Sequence, residues 1–264
     1  MKLFRDFNQL TILTNKGLLS KLSILDLSQN KLKSSIPSTI GNLLYLKELQ
    51  LDHNSLTGKI PSSLMSVSSL TYLGLNSNRL QGHLPIHMGQ LVNMITLDLS
   101  SNSLSGTISN ELNKLANITI LLLNKNRFTG TVNNNIFSRM KMLQYLNIGI
   151  NFISGTIPGS LSQLPFLVHL ELERNSFSGI LPHFLGDTLN YLDVAVNQLT
   201  GSVPSSLCAG GKLRNLYTWG NYFSCYASCL ISVPWFTPGA ISPCAPRRTG
   251  TWQFLIIVGI YPFV

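Results

Sequence analysis

The chain has 264 residues, enough for a large buried core in one elongated unit or in two compact ones. Only 11% of its residues are charged, against roughly a quarter in ordinary globular domains, while leucine, asparagine, serine and glycine abound, so a repeating rule fills its positions. The formal charge of +9 implies no nucleic-acid partner, because the basic residues are scattered singly and Arg247-Arg248 is the only adjacent pair.

Residues 1–18 read as a degraded or truncated N-terminal segment. Lys2 and Arg5 make the start basic, but Asp6, Asn8, Gln9 and Asn15 interrupt any apolar stretch, and no signal peptide is evident. From residue 19 to residue 224 one pattern takes over. Asparagine recurs at Asn30, Asn54, Asn78, Asn102, Asn126, Asn151, Asn175, Asn197 and Asn221, at intervals of 24, 24, 24, 24, 25, 24, 22 and 24 residues. An apolar-x-apolar triplet precedes each, from Leu25/Leu27 and Leu49/Leu51 through Leu73/Leu75, Leu97/Leu99, Leu121/Leu123, Leu146/Ile148 and Leu170/Leu172 to Leu192/Val194. The ninth, Leu216/Thr218, is degraded. Such a triplet is a short strand with one face inward, and its recurrence stacks nine strands in parallel. The asparagine follows each strand where the backbone turns inward, and its amide is expected to satisfy the polar groups of that turn and of the neighbouring repeat, forming a ladder.

Beyond each asparagine comes an apolar residue, then usually a glycine, at positions 58, 82, 106, 130, 155, 179 and 201, where the chain must bend. An apolar-Pro pair follows at Ile36-Pro37, Ile60-Pro61, Leu84-Pro85, Ile157-Pro158, Leu181-Pro182 and Val203-Pro204, which holds the segment extended. The convex side should therefore consist of extended pieces and short helical turns. The whole pattern, L-x-x-L-x-L-x-x-N-x-L-x-G-x-I-P, resembles the plant-specific leucine-rich repeat of receptor-like kinases, receptor-like proteins and polygalacturonase-inhibiting proteins, and the resemblance covers about residues 19–224. It implies an α/β solenoid, a right-handed superhelix with a curved parallel sheet on its concave face. Departures are Ser34 and Cys225 at glycine positions and Ser109 and Asn133 at proline positions. The family's cysteine-paired N-terminal cap is also missing, as expected of a fragment or a divergent member.

Alternation along the strands names the outward positions. They include Asp26, Ser28, Glu48, Gln50, Asp52, His53, Tyr72, Asn76, Thr96, Asp98, Ile120, Leu122, Lys125, Tyr145, Asn147, Ile150, His169, Glu171, Glu173, Arg174, Tyr191, Asp193, Tyr217 and Trp219. Seven of the ten acidic residues fall in this set against two of the nineteen basic ones, so the face carries a formal −5 while the rest of the chain carries +14. A neutral or cationic ligand is expected there, and only weak affinity for polyanions elsewhere. Asp26, Asp98 and Asp193 also match the L-D-L strand common in the family. Large apolar and aromatic members, Ile120, Leu122, Tyr145, Ile150, Tyr191, Tyr217 and Trp219, concentrate in the second half. The candidate groove therefore spans repeats five to nine. Its candidate contacts are Ile120, Leu122, Tyr145, Asn147, His169, Glu171, Glu173, Tyr191, Asp193, Tyr217 and Trp219, with Tyr72 further towards the start.

Glu171 and Asp193 occupy equivalent positions on neighbouring strands, about 4.8 Å apart in backbone, close enough to resemble a glycosidase pair, and His169, Glu171 and Glu173 have a spacing open to a metal. An open sheet offers neither the burial nor the dry cleft that catalysis exploits, so binding without catalysis, cofactor or metal is expected. His83 and His87, around Pro85, read as surface histidines. Asn117-Ile118-Thr119 is the one glycosylation acceptor, just before the fifth strand.

The four cysteines, Cys208, Cys225, Cys229 and Cys244, all lie in the last quarter and read as one disulfide-stapled cap, spanning residues 225–250 and made in an oxidising compartment. Of three possible pairings, Cys208 with Cys229 and Cys225 with Cys244 is favoured. Residues 251–264 form an apolar tail. It is shorter than the roughly 20 residues of a spanning helix and is interrupted by Pro262, which leaves a membrane-anchor stump or a plain tail. The resemblance implies an extracellular or cell-surface receptor-like ectodomain that recognises a peptide, a protein or a cell-wall carbohydrate. The alternatives are a secreted inhibitor or adhesion module and a non-secreted interaction scaffold.

Overall fold

The computed structural model describes residues 21–183 and 188–244. The N-terminal segment 1–18, the pair Arg247-Arg248 and the tail 251–264 lie outside the described residues. In chain order the strands are β1 (Ile24–Asp26), β2 (Glu48–Gln50), β3 (Tyr72–Gly74), β4 (Gln81–Gly82), β5 (Thr96–Asp98), β6 (Ser103–Gly106), β7 (Ile120–Leu122), β8 (Arg127–Thr131), β9 (Tyr145–Asn147), β10 (Phe152–Thr156), β11 (His169–Glu171), β12 (Ser176–Ile180), β13 (Tyr191–Asp193), β14 (Gln198–Val203), β15 (Asn215–Tyr217), β16 (Tyr222–Tyr226) and β17 (Trp235–Thr237). They form two parallel sheets. One has ten strands in the order β1-β2-β3-β5-β7-β9-β11-β13-β15-β17, and the other has seven in the order β16-β14-β12-β10-β8-β6-β4. Short 3-10 helices such as Ser62–Ser66 and Gly159–Gln163 close the coils. The molecule is a leucine-rich-repeat solenoid.

Each coil contributes the same inward residues to one continuous core. Leu49, Leu73, Leu97, Leu121, Leu146, Leu170 and Leu192 are all fully buried, as are the inward residues that follow each strand, Leu51, Leu75, Leu99, Leu123, Ile148, Leu172 and Val194. In the degraded ninth triplet Thr218 takes the leucine position at 1% exposure, and its hydroxyl donates to the Thr237 carbonyl at 3.1 Å. A polar residue is tolerated inside because the next strand supplies its acceptor.

The asparagines make the ladder the sequence implies. In the coil of Asn126 the amide Nδ2 donates to the carbonyls of Leu99, Leu123 and Asn124 at 2.9, 3.1 and 3.3 Å, and Oδ1 accepts the Leu104 N–H at 3.0 Å. Three residues after each ladder strand of the ten-stranded sheet comes a left-handed residue, from Gln29 and His53 to Arg174 and Val196, which turns the chain so that the next asparagine points inward. The convex segments hold more order than extended pieces and turns. From the third coil onward they join into the second sheet, and the first two coils share only the isolated bridge Ser35–Thr57. Glycines 58, 82, 106, 130, 155, 179 and 201 adopt φ between 74° and 82°, where a side chain would be strained. Hydroxyls add a second ladder here, with Ser154, Ser178, Thr200 and Ser224 donating to the glycine carbonyls of the preceding coil at 2.9 to 3.4 Å.

At the C-terminal end the sheet continues into a tenth strand, β17, which pairs with β15. Cys208 is bonded to Cys229 and Cys225 to Cys244, and Tyr226 packs edge-on against Phe236 at 4.9 Å beneath them.

Candidate functional site: the concave sheet

The register of the ten-stranded sheet fixes which outward side chains are neighbours. One row runs Glu48, Tyr72, Thr96, Ile120, Tyr145, His169, Tyr191, Asn215, Trp235. The next runs Asp26, Gln50, Gly74, Asp98, Leu122, Asn147, Glu171, Asp193, Tyr217, Thr237. Strands about 4.8 Å apart bring planar side chains in one row into stacking distance. Tyr145 stacks on His169 and His169 on Tyr191, both with ring centroids 4.0 Å apart and planes within 9°. Tyr217 belongs to the second row and therefore meets Tyr191 tilted, at 5.6 Å and 49°.

Beneath this stack Glu171 is the polar anchor. Tyr145 Oη donates to its Oε1 at 2.5 Å, and His169 Nε2 lies 2.7 Å from the same oxygen. Burial alone would raise the Glu171 carboxyl, but these hydrogen bonds outweigh it and hold the group below its usual value. Burial, reinforced by the hydrogen bond to Glu171, pushes the Tyr145 phenol well up, and burial with the charge of Asp193 does the same to Tyr191. Asp193 is raised, first by burial, although its Oδ1 accepts the Ala195 N–H at 2.9 Å. Glu173 lies apart, over Gly149.

The sequence-predicted residues fall into three groups. Tyr145, His169, Glu171, Tyr191, Asp193 and Tyr217 are brought together as one half-buried aromatic and acidic band, with Trp219 at its end, 43% exposed. Ile120 and Leu122 continue the band towards the start of the chain as half-buried apolar residues, and Tyr72 sits four coils before His169, its ring against Gly74. Asn147 belongs to the outward row but is only 6% exposed; its Oδ1 accepts the Gly149 N–H at 3.0 Å and its side chain lies against Glu171. It supports the strand end more than it faces solvent. His53, Lys125, Ile150 and Arg174 occupy the left-handed positions at the lip of the sheet. Among the described residues no three metal-binding side chains converge, since Glu171 is engaged by His169 and Tyr145 while Glu173 leans the other way. Asn117 is exposed on its loop, with Nδ2 donating to the Val92 carbonyl at 3.1 Å.

Comparison with known proteins agrees with this architecture. The family described as leucine rich repeat matches residues 19–80 and 116–177, and a second leucine rich repeat family matches residues 93–115, together more than half of the chain. The chain belongs to the leucine-rich-repeat family. Its repeats are of the plant extracellular type, as its solved relatives indicate. The ectodomain of the receptor kinase GASSHO1/SCHENGEN3 from Arabidopsis thaliana, in complex with CASPARIAN STRIP INTEGRITY FACTOR 2, is 35% identical with a TM-score of 0.78 over 81% of this chain and 26% of that one. A TDR receptor is 35% identical with a TM-score of 0.74 over 77% of this chain and 35% of that one. The Arabidopsis receptor kinase HAESA, in complex with the peptide hormone IDA and the co-receptor SERK1, is 30% identical with a TM-score of 0.66 over 77% of this chain and 38% of that one. This chain thus spans about a quarter to two fifths of the length of these relatives. A sequence search of the curated proteins found no match.

The leucine-rich-repeat face also holds residues that sequence reasoning missed. Trp235, 66% exposed, and Thr237 extend the two rows past Asn215 and Tyr217. The only signal was the out-in-out triplet Trp235-Phe236-Thr237, which carries neither leucine nor the ladder asparagine. Gly74 and Gly149, both at outward positions, carry no side chain to contact a ligand, yet they decide where Tyr72 and Glu173 lie.

Proposed function

We propose that this chain is the ligand-recognising part of a receptor-like ectodomain at the cell surface, and that it holds a peptide or protein segment against β7 to β15 of the concave sheet. The observation that carries this reading is the band of packed aromatic rings and carboxylates across β9 to β15, which the half-buried Ile120 and Leu122 extend onto β7. Because Tyr145, His169 and Tyr191 cover one another's faces, the band offers ring edges, hydroxyls and carboxylates. A sugar ring seeks an open aromatic face, whereas a peptide is suited to edges and polar points, so a polypeptide is favoured over a cell-wall carbohydrate. The relatives in complex with a peptide hormone or with CASPARIAN STRIP INTEGRITY FACTOR 2 support the same choice. The role is one of binding without catalysis, in keeping with a half-buried open face. Two disulfides and an exposed Asn117 acceptor fit secretion and glycosylation.

The test is affinity capture of secreted peptides on the immobilised chain, followed by measurement of the captured peptide's affinity as a synthetic compound. Replacing Tyr145, Glu171 and Tyr191 together with alanine is expected to weaken that affinity by about a hundredfold or more, as for a small set of central contacts, with the circular dichroism spectrum preserved. An affinity left within threefold or so would remove the concave band from the binding site.

A further inference from the structure

Glu171 and Glu173 stand two residues apart on one face, and the fold treats them in opposite ways. Glu171 is satisfied by Tyr145 and His169. Glu173 lays its carboxylate across Gly149 of the preceding coil, so closely that a Cβ at position 149 would collide with Cδ and both oxygens. Its Oε2 is enclosed by protein and receives no hydrogen bond. Asp193 stands on the following coil and Glu171 on its own strand, both repelling a negative charge. Arg174 attracts it, although among the described residues no ion pair joins the two. The phenols of Tyr145 and Tyr191 flank the site, and on the preceding side Lys125 is exposed, its backbone N–H donating to the Gly149 carbonyl at 3.1 Å.

A carboxylate that is desolvated, held only by its own backbone N–H with one oxygen lacking a donor, and next to two others is more stable with a proton, until a cation arrives to take the proton's place. Burial, with Asp193 and Glu171 adding to it, pushes the Glu173 carboxyl up to about 7. We propose that Glu173 exchanges a proton as the concave face engages its ligand: on the free chain it holds a proton in mildly acidic solution, and it becomes ionised when a guanidinium or ammonium group of the ligand settles against it and Asp193. Binding then releases a proton and weakens in acid. This rests on the reading of the concave face given above and names the charge of the ligand group that the face selects.

The experiment has two arms. Carbon-13 NMR of the side-chain carboxyls of the free chain, titrated with acid, should give Glu173 a midpoint near 7. In the Gly149→Ala variant, which lifts the carboxylate from its seat, the midpoint should fall. Calorimetric titration with a tetra-arginine amide, in two buffers of different ionisation enthalpy, should show proton release. Binding should be about tenfold tighter near pH 8 than near pH 6, the most that one titrating group midway between can produce. Glu173→Gln should erase both the proton release and the pH dependence. An ordinary carboxylate midpoint at Glu173 overturns the proton assignment and leaves the concave-face reading intact. Absence of tetra-arginine binding, or binding without proton release, overturns the coupling. Only an unchanged affinity in the Tyr145, Glu171 and Tyr191 variant removes the underlying site itself.

Discussion

Ile150 and Val196 hold φ at 54° and 55°, where the β-branched side chain of an L-residue crowds its own backbone. The solenoid needs a left-handed residue after each strand, and elsewhere it uses Gln29, His53, Ser77, Ser101, Lys125, Arg174 and Gly220, none of them β-branched. Replacing Ile150 with asparagine, which accepts this conformation, should stabilise the chain by about 1 kcal/mol. The expected result is a higher urea midpoint at unchanged slope; a lower midpoint would mean that the packing of the isoleucine outweighs its strain. What was legible at this scale was the alternation. The strand pattern placed Tyr145, Glu171, Tyr191 and Asp193 outward, and they are outward. It could not tell that Asn147 folds back to Gly149, nor that Glu173 leans over that glycine, because the direction of an outward side chain depends on the volume of its neighbours on the adjoining strands.

The ladder asparagine turns a 24-residue interval into stacking, since each amide closes its own turn and ties down the coil before it. For Asn126, 7% exposed, the substitution Asn126→Ala would leave the Leu104 N–H without its acceptor and take one of two amide donors from the Leu99 and Leu123 carbonyls, which would keep only Asn102 and Asn151. A buried donor deprived of its hydrogen bond costs about 1–3 kcal/mol, and the weakened hold on the two carbonyls puts the loss near the top of that range. Asn117→Ala should cost about 0.5 kcal/mol or less, because its bond to the Val92 carbonyl is exposed to water. Chemical denaturation of both variants checks the difference, and equal losses would deny the ladder its role between coils. The ladder was readable because a fixed interval and one residue type both repeat. The second sheet and its hydroxyl bonds were not. Their strands mix Ser154 and Thr200 with Arg127 and Phe152, and their pairing arises only when the coils are already stacked in register.

Across the whole molecule, each coil rests on its neighbours alone, so stability should behave as a chain of local units and an end coil should fray without dragging the others with it. The first end is outside the described residues, and the last is held by covalent means. The Cys208–Cys229 bridge ties the last two coils together on the side away from the concave sheet, and the Cys225–Cys244 bridge holds the trailing segment, whose Ser242 carbonyl accepts the Tyr226 N–H at 3.1 Å, against β16. The cysteines announced a stapled end, but not that the end is a further coil with its own strand, since Pro234 and Pro238 bracket Trp235-Phe236-Thr237 where the repeat would have placed leucine and asparagine. Each bridge closes a loop of about 20 residues, worth about 3 kcal/mol by chain entropy. Reduction should therefore speed hydrogen exchange in β15 and β17 by about a hundredfold, roughly the factor that 3 kcal/mol allows, and leave β3 and β5 unchanged. Hydrogen exchange with mass spectrometry resolves these segments. Uniform acceleration along the chain would mean that the solenoid opens as one cooperative block, and that the staples protect the distant half of the sheet as much as the coil they enclose.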